Sequence, residues 1–202
     1  ERLGDICAKN GVRVFADELH CDILMSGCKH HPFGNVDAVC RDNSMTVIAP
    51  SKTFNLAGLQ ATVTITPDPR MRLLYENVLA RNSIPRPNLF AITGLEAAYR
   101  HGERWLDELL VYIEGNYDFL VNDLQERLPQ VRVMPLEGTF LAWMDFSALE
   151  PDPYVLQKRM LTEANVWLDE GWVFGPEGNG FERIVLACPR SILKEALDRI
   201  VR

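Results

Sequence analysis

The stretch IAPSKTFNLAGLQ, residues 48–60, holds one charged side chain, Lys52, among small, apolar and amide residues. Lysine is ordinarily a solvated surface residue. At the end of an apolar segment, between Ser51 and Thr53 and ahead of a loop with Gly58, it is a candidate nucleophile. Partial burial disfavours the ammonium form, and a neutral amine attacks an aldehyde to give a Schiff base. Asp17 closes a second apolar run, VRVFAD. A carboxylate placed against a heterocyclic nitrogen keeps that nitrogen protonated, as an electron-drawing aldehyde cofactor such as pyridoxal phosphate requires. Lysine and aspartate also occur together in most domains as solvated charges, so their meaning depends on the elements that place them.

Those elements read as alternating strands and helices. Runs 12–17, 45–50 and 61–66 have the length and composition of short buried strands, and Gly11 ends a helix before the first. Pro67 and Pro69 stop the third strand; a helix follows over 70–81, Pro85 and Pro87 break it, and another helix covers 89–99. From 103 to 128, Leu106, Leu110, Ile113, Tyr117, Leu120, Leu124 and Leu128 recur every three or four residues, the stripe of one long packed helix that Gly115 could kink. Beyond Pro129, VRVMP, TFLAWMDF and RIVLACP read as strands, with helices over 154–164 and 191–201. The expected fold class is α/β: residues 1–128 form part of a large domain with a mainly parallel sheet, and 129–202 a smaller α/β domain, with the boundary near 128–135. Open parallel sheets bind ligands at the carboxyl ends of their strands, where Asp17 and Lys52 would both lie.

Composition narrows the classes. The 202 residues carry a formal charge of -7, against the cationic surplus that nucleic-acid binding needs. No apolar run approaches the roughly 20 residues of a membrane span, and the charged opening ERLGDICAKNG has no signal-like apolar core. Five cysteines, Cys7, Cys21, Cys28, Cys40 and Cys188, show no CxxC spacing, which fits free thiols in a reducing cytoplasm.

Five motifs then agree in order: ADELHCDI, APSKTFNLAGLQ, EAAYRHGERWLDELLVYIEGN, EGTFLAWMDF and FERIVLACPRS. Together they resemble fold-type I pyridoxal-phosphate enzymes, class I/II aminotransferase-like, and within them the MalY/PatB-type cystathionine β-lyase branch. The resemblance runs the length of the chain. It implies a carbon–sulfur β-lyase that takes cystathionine, cysteine or S-conjugates to a thiol, pyruvate and ammonia, with aminotransfer as the near alternative. By the same resemblance Lys52 is the Schiff-base lysine and the base that moves the α-proton, and Asp17 the partner of the pyridine nitrogen. His20 stands where related aminotransferases carry a tyrosine on the cofactor's phenolic oxygen; a core histidine bound to backbone is its plain alternative. Ser51 helps to hold the cofactor phosphate. Arg183 grips the substrate carboxylate, for which a planar fork of donors is the right chemistry; Arg190 is its rival.

The chain departs from the pattern at Ala49, where a phosphate-contacting hydroxyl is frequent, at Gln60, where many aminotransferases have arginine, and at Val185, where asparagine is common. Gln60 agrees with the β-lyase branch. The ring-stacking residue, the phosphate glycine loop and an NPxNPTG-type motif precede this stretch in the family, so the chain is expected to be a C-terminal half and the full-length enzyme a cytoplasmic homodimer. Two rivals come from other classes. Asp17, His20, Asp22, His30 and His31 offer ligands to zinc or a similar ion, although no metal is expected. A non-catalytic binding or regulatory fragment of this family is the other.

Overall fold

A computed structural model describes residues 1–84 and 87–202. Pro85, expected to break the chain between two helices, lies outside the described residues. The chain divides into two compact units, Glu1–Asp107 and Glu108–Arg202.

In the first unit, α1 (Arg2–Lys9) leads to β1 (Val14–Asp17). A long loop and the short helix α2 (Ala38–Asp42) precede β2 (Ser44–Ile48). The one-turn helix α3 (Pro50–Thr53) follows at once, and β3 is Val63–Ile65. The sheet order is β1-β2-β3. β1 and β2 are parallel, with Val14 opposite Ser44 and Asp17 opposite Val47. β3 returns antiparallel, pairing Val63 with Ile48. The three described strands of this α/β unit thus give one parallel and one antiparallel pair. After β2 the chain has only α3 and a 3-10 turn at Ala57–Leu59 before β3, with no long helix to carry it back across the sheet.

The unit closes with α4 (Pro69–Arg81), α5 (Leu89–His101) and the start of α6 (Glu103–Arg127). Pro69 sits at the first turn of α4, and Asp68 caps it by accepting from Arg70 N. Asn88 caps α5 by accepting from Ala91 N at 2.9 Å.

The second unit takes the rest of α6, where Ile113, Asn116, Leu120 and Leu124 are buried. The two compact units meet inside this helix, and the buried residues of its apolar stripe from Ile113 onward lie in the second. Gly115 does not interrupt α6. A Cβ there would stand 3.2 Å from Nη2 of Arg190, so the glycine makes room for a guanidinium.

Strands β4 (Arg132–Val133), β5 (Leu141–Asp145), β6 (Asp169–Glu170) and β7 (Phe181–Val185) form an antiparallel sheet of order β4-β5-β7-β6. Period-two alternation puts the buried Ala142 and Met144 of β5 and Glu182 and Ile184 of β7 on one face. α7 (Pro153–Arg159), capped by Asp152, runs into a π turn at Met160–Ala164, and α8 (Arg190–Ile200) ends the unit with Leu193 and Leu197 buried. Gly171 and Gly178 hold two loops together: a Cβ on Gly171 would come within 2.2 Å of the Gly178 carbonyl oxygen.

Candidate active site

Asp17 is the last residue of β1, paired with Val47, and Glu18 N donates to Val47 O at 3.0 Å. β2 ends one residue later at Ile48, and α3 begins two residues after that. Because the strands are parallel, their carboxyl ends lie at one edge, and Asp17, Ser51 and Lys52 all emerge there. The helix decides which way Lys52 faces. Pro50 and Thr53, three residues apart and so on one face, are buried, Ser51 is half-buried and Lys52 is exposed. Asp17 is exposed as well. The partial burial expected of Lys52 is not found among the described residues.

The loop after β1 is tightly organised. Leu19 N donates to Asp17 Oδ1 at 3.4 Å, and His20, half-buried, sits in a turn closed by Ile23 N donating to His20 O at 3.0 Å. Glu18 clamps the loop from both carboxylate oxygens. Oε1 accepts from Phe33 N at 2.8 Å and Oε2 lies 2.9 Å from His30 Nε2. His30 is thus taken up by Glu18. Among the described residues no group of three or more His, Cys, Asp or Glu side chains is placed to hold a metal ion.

Asp22, two residues beyond His20, joins the loop to the lysine's helix. Its Oδ2 accepts from Thr53 Oγ1 at 2.8 Å and from the Tyr99 hydroxyl at 3.3 Å. Burial, with the Asp22 charge beside it, pushes the Tyr99 phenol well above its usual range and the Cys21 thiol up to about 11. Both therefore stay protonated donors at neutral pH. Thr53 and Tyr99 were missed in the sequence, and Asp22 stood there only as a metal-ligand candidate. The adjacency of Thr53 to Lys52 was a usable signal, whereas Tyr99 offered none.

Arg183 belongs to the second unit. It lies on β7 opposite both Trp143 and Asp169. Nε and Nη2 donate to Asp169 Oδ2 at 3.0 and 2.7 Å, and the guanidinium carbon stands 4.7 Å from the centre of the Phe174 ring. Arg183, Asp169, Trp167, Val185 and Ile192 help to line a cavity of about 490 Å³. Arg190 is held differently. Its N donates to the Tyr112 hydroxyl at 2.8 Å, Nε to Asn116 Oδ1 at 2.5 Å, and its guanidinium lies 4.9 Å from the Phe119 ring centre. Every one of those partners is on α6.

An amine, a carboxylate and a hydroxyl that emerge at the carboxyl edge of two parallel strands are the residue types that an aldehyde cofactor would require. The family model for aminotransferase class I and II matches residues 1–200. The chain belongs to that family. Among class I and II aminotransferase relatives, it is 43% identical over 199 residues to cystathionine beta-lyase PatB of Bacillus subtilis, covering 98% of this chain and 51% of PatB. Protein MalY of Escherichia coli is 31% identical over 202 residues, with 100% and 51% covered. The fold matches that of cystalysin from Treponema denticola, whose crystal structure contains a pyridoxal 5'-phosphate cofactor. The TM-score is 0.95 at 33% identity, over 98% of this chain and 50% of cystalysin. The chain spans about half the length of the curated relatives it matches.

Proposed function

We propose that this protein is a pyridoxal-phosphate-dependent carbon–sulfur β-lyase of the cystathionine β-lyase type. The observation that carries the reading is the placement of Asp17 and Lys52 at the same ends of two adjacent parallel strands. Amine, carboxylate and hydroxyl suit the aldehyde, ring nitrogen and phosphate of that cofactor. When bound, pyridoxal phosphate supplies a sink for the electron pair left at a substrate's α-carbon.

The chain's own residues do the rest. Lys52 would hold the cofactor at its aldehyde carbon, and its amine, once free, would take the α-proton of a bound amino acid. Asp17 would keep the ring nitrogen protonated, so that the sink stays deep, while His20 would donate to the phenolic oxygen and Ser51 to the phosphate. Arg183 fixes the substrate through its α-carboxylate. A thiolate would leave from the β-carbon of cystathionine, cysteine or an S-conjugate, and water would hydrolyse the remaining three-carbon enamine to pyruvate and ammonia.

The resemblance to PatB supports β-elimination over aminotransfer, which shares the steps up to proton removal. The five cysteines, all free, accord with a cytoplasmic protein. Exposed Leu73 and Leu74 on α4 and Leu89 and Phe90 on α5 support a homodimer.

The test starts from the full-length protein and its Lys52→Ala variant, each mixed with pyridoxal phosphate and reduced with borohydride. The expected result is a reduced adduct on Lys52, absent from the variant, with pyruvate and thiol released from cystathionine. Transfer of the amino group to an added 2-oxo acid, without pyruvate release, would make the protein an aminotransferase. No adduct at Lys52 would sink the reading altogether.

A further inference from the structure

The helix that carries Lys52 is too short to hold itself. α3 is a single turn, and its N-cap, Ala49, offers no side-chain bond; helices of such length are unstable alone in water. The direction of Lys52 therefore depends on what grips its neighbours. Thr53, the next residue, is fully buried at 0% exposure, and its hydroxyl donates to Asp22 Oδ2 at 2.8 Å. The same oxygen accepts from Tyr99 at 3.3 Å, while Oδ1 lies 3.6 Å from Cys21 Sγ.

The residue after Thr53 is gripped from the same side. The Phe54 ring packs edge-on against Tyr99, with centroids 5.4 Å apart, and lies 5.9 Å from the Trp105 ring. Gly102 leaves space for it, since a Cβ there would stand 2.4 Å from Phe54 Cε1. Tyr99 thus serves both holds: its hydroxyl reaches Asp22 and its ring meets Phe54. Asp22 itself follows β1 in the loop that carries Asp17 and His20, so its carboxylate ties the turn of the pyridine partner to the helix of the lysine.

We propose that Asp22 is the positioning residue for Lys52, fixing α3 through Thr53 and Tyr99 so that the amine keeps its place relative to Asp17. The role in catalysis rests on the reading of Lys52 as the cofactor lysine, whereas the hold on α3 does not. Small displacements of a reacting group cost large factors in rate, and precise sites depend on the shell of bonds behind them.

The experiment uses the full-length protein with Asp22→Ala, Asp22→Asn and Tyr99→Phe variants. Amide hydrogen exchange without cofactor should quicken by about tenfold or more over 50–56 in Asp22→Ala, the worth of one charge-assisted bond. Exchange in β2 should stay within about twofold. With pyridoxal phosphate and borohydride, labelling of Lys52 should slow by a similar factor in Asp22→Ala. Asp22→Asn, which keeps an acceptor for Thr53, should recover most of both effects, and Tyr99→Phe should fall between. Unchanged exchange over 50–56 in Asp22→Ala overturns the proposal, as does a rise shared equally by β2. If the parent itself shows no label on Lys52, the cofactor reading falls, and the exchange pattern still decides whether Asp22 holds the helix.

Discussion

Arg183 donates from Nε and Nη2 to a single oxygen of Asp169, its register partner across the β6–β7 pair. The side chain proposed to grip a substrate carboxylate is therefore already engaged by a carboxylate of the protein. Any substrate acid must compete with Asp169 for the same fork. Removing that charge while keeping the side chain's shape should favour the substrate: Asp169→Asn is expected to lower KM for an S-conjugate amino acid severalfold with little change in kcat. Arg183→Lys should raise KM by about tenfold or more, because an ammonium is a point donor that cannot reproduce a planar fork. Steady-state kinetics on the two variants check both signs, and an unchanged KM in Arg183→Lys would remove Arg183 from the substrate site.

Asp17 and Lys52 share the carboxyl edge of β1 and β2, yet their proposed parts in the chemistry differ, and so should their variants. Lys52→Ala is expected to lose the reducible adduct and turnover together. Asp17→Ala should retain the adduct, since Lys52 remains, but lose kcat by about 10² to 10³, the cost of removing one electrostatic partner at developing charge. Adduct formation measured beside kcat separates the two roles. A variant at Asp17 that turned over at the parent's rate would be incompatible with its role at the ring nitrogen.

Much of this arrangement could be read in the chain. The strand ends at Asp17 and before Lys52, the helices capped by Asp68 and Asn88 and the stripe of α6 all follow from local periodicity and capping. Strand direction did not follow: nothing local in residues 61–66 says that β3 runs antiparallel, because pairing depends on how the chain turns beyond Ile48. RIVLACP illustrates the same limit. β7 is Phe181–Val185, with Leu186 continuing its bonding to Phe140, so the strand starts two residues before Arg183 opens that segment. The Asp22–Tyr99 bond joins positions far apart in the chain, and no spacing rule reaches across that distance.

Glu182 gives the second unit a pH dependence. Its residue is 1% exposed, on the buried face of β7, and Oε2 has no hydrogen-bond partner among the described residues. Burial, with Glu170 and Asp169 of β6 adding like charge, pushes the carboxyl from 4.5 up to about 7. A carboxyl raised in the folded state contributes its stability in full below the unfolded value of about 4.3 and loses it as pH rises through the folded one. The urea midpoint should therefore fall between about pH 5 and pH 8. Glu182→Gln, neutral throughout, should flatten that slope and leave the variant the more stable protein at pH 8. A parent and variant with parallel pH profiles would show that Glu182 titrates normally.

Asn116 is the polar bolt of the same unit. It is 0% exposed in the middle of α6, and its amide nitrogen donates to Leu186 O at 2.7 Å and Cys188 O at 3.0 Å. Its oxygen accepts from Arg190 Nε at 2.5 Å, where Gly115 leaves room for the guanidinium. Alanine at 116 removes both halves of the amide at once. Two carbonyls and one charged donor lose their partner, and an unsatisfied buried group costs about 1–3 kcal/mol. A loss of about 3 kcal/mol on unfolding is expected for Asn116→Ala, measured by urea denaturation. Asn116→Asp should fare no better, since a carboxylate can still accept from Arg190 but has no N–H for the two carbonyls. Leu120→Ala, a few residues along the same buried face, supplies the comparison, because it opens a cavity of known type worth about 2–5 kcal/mol. If Asn116→Ala cost less than about 1 kcal/mol while Leu120→Ala fell in its range, water would have to be satisfying the carbonyls of Leu186 and Cys188, and the amide would not be what fixes the chain after β7 to α6.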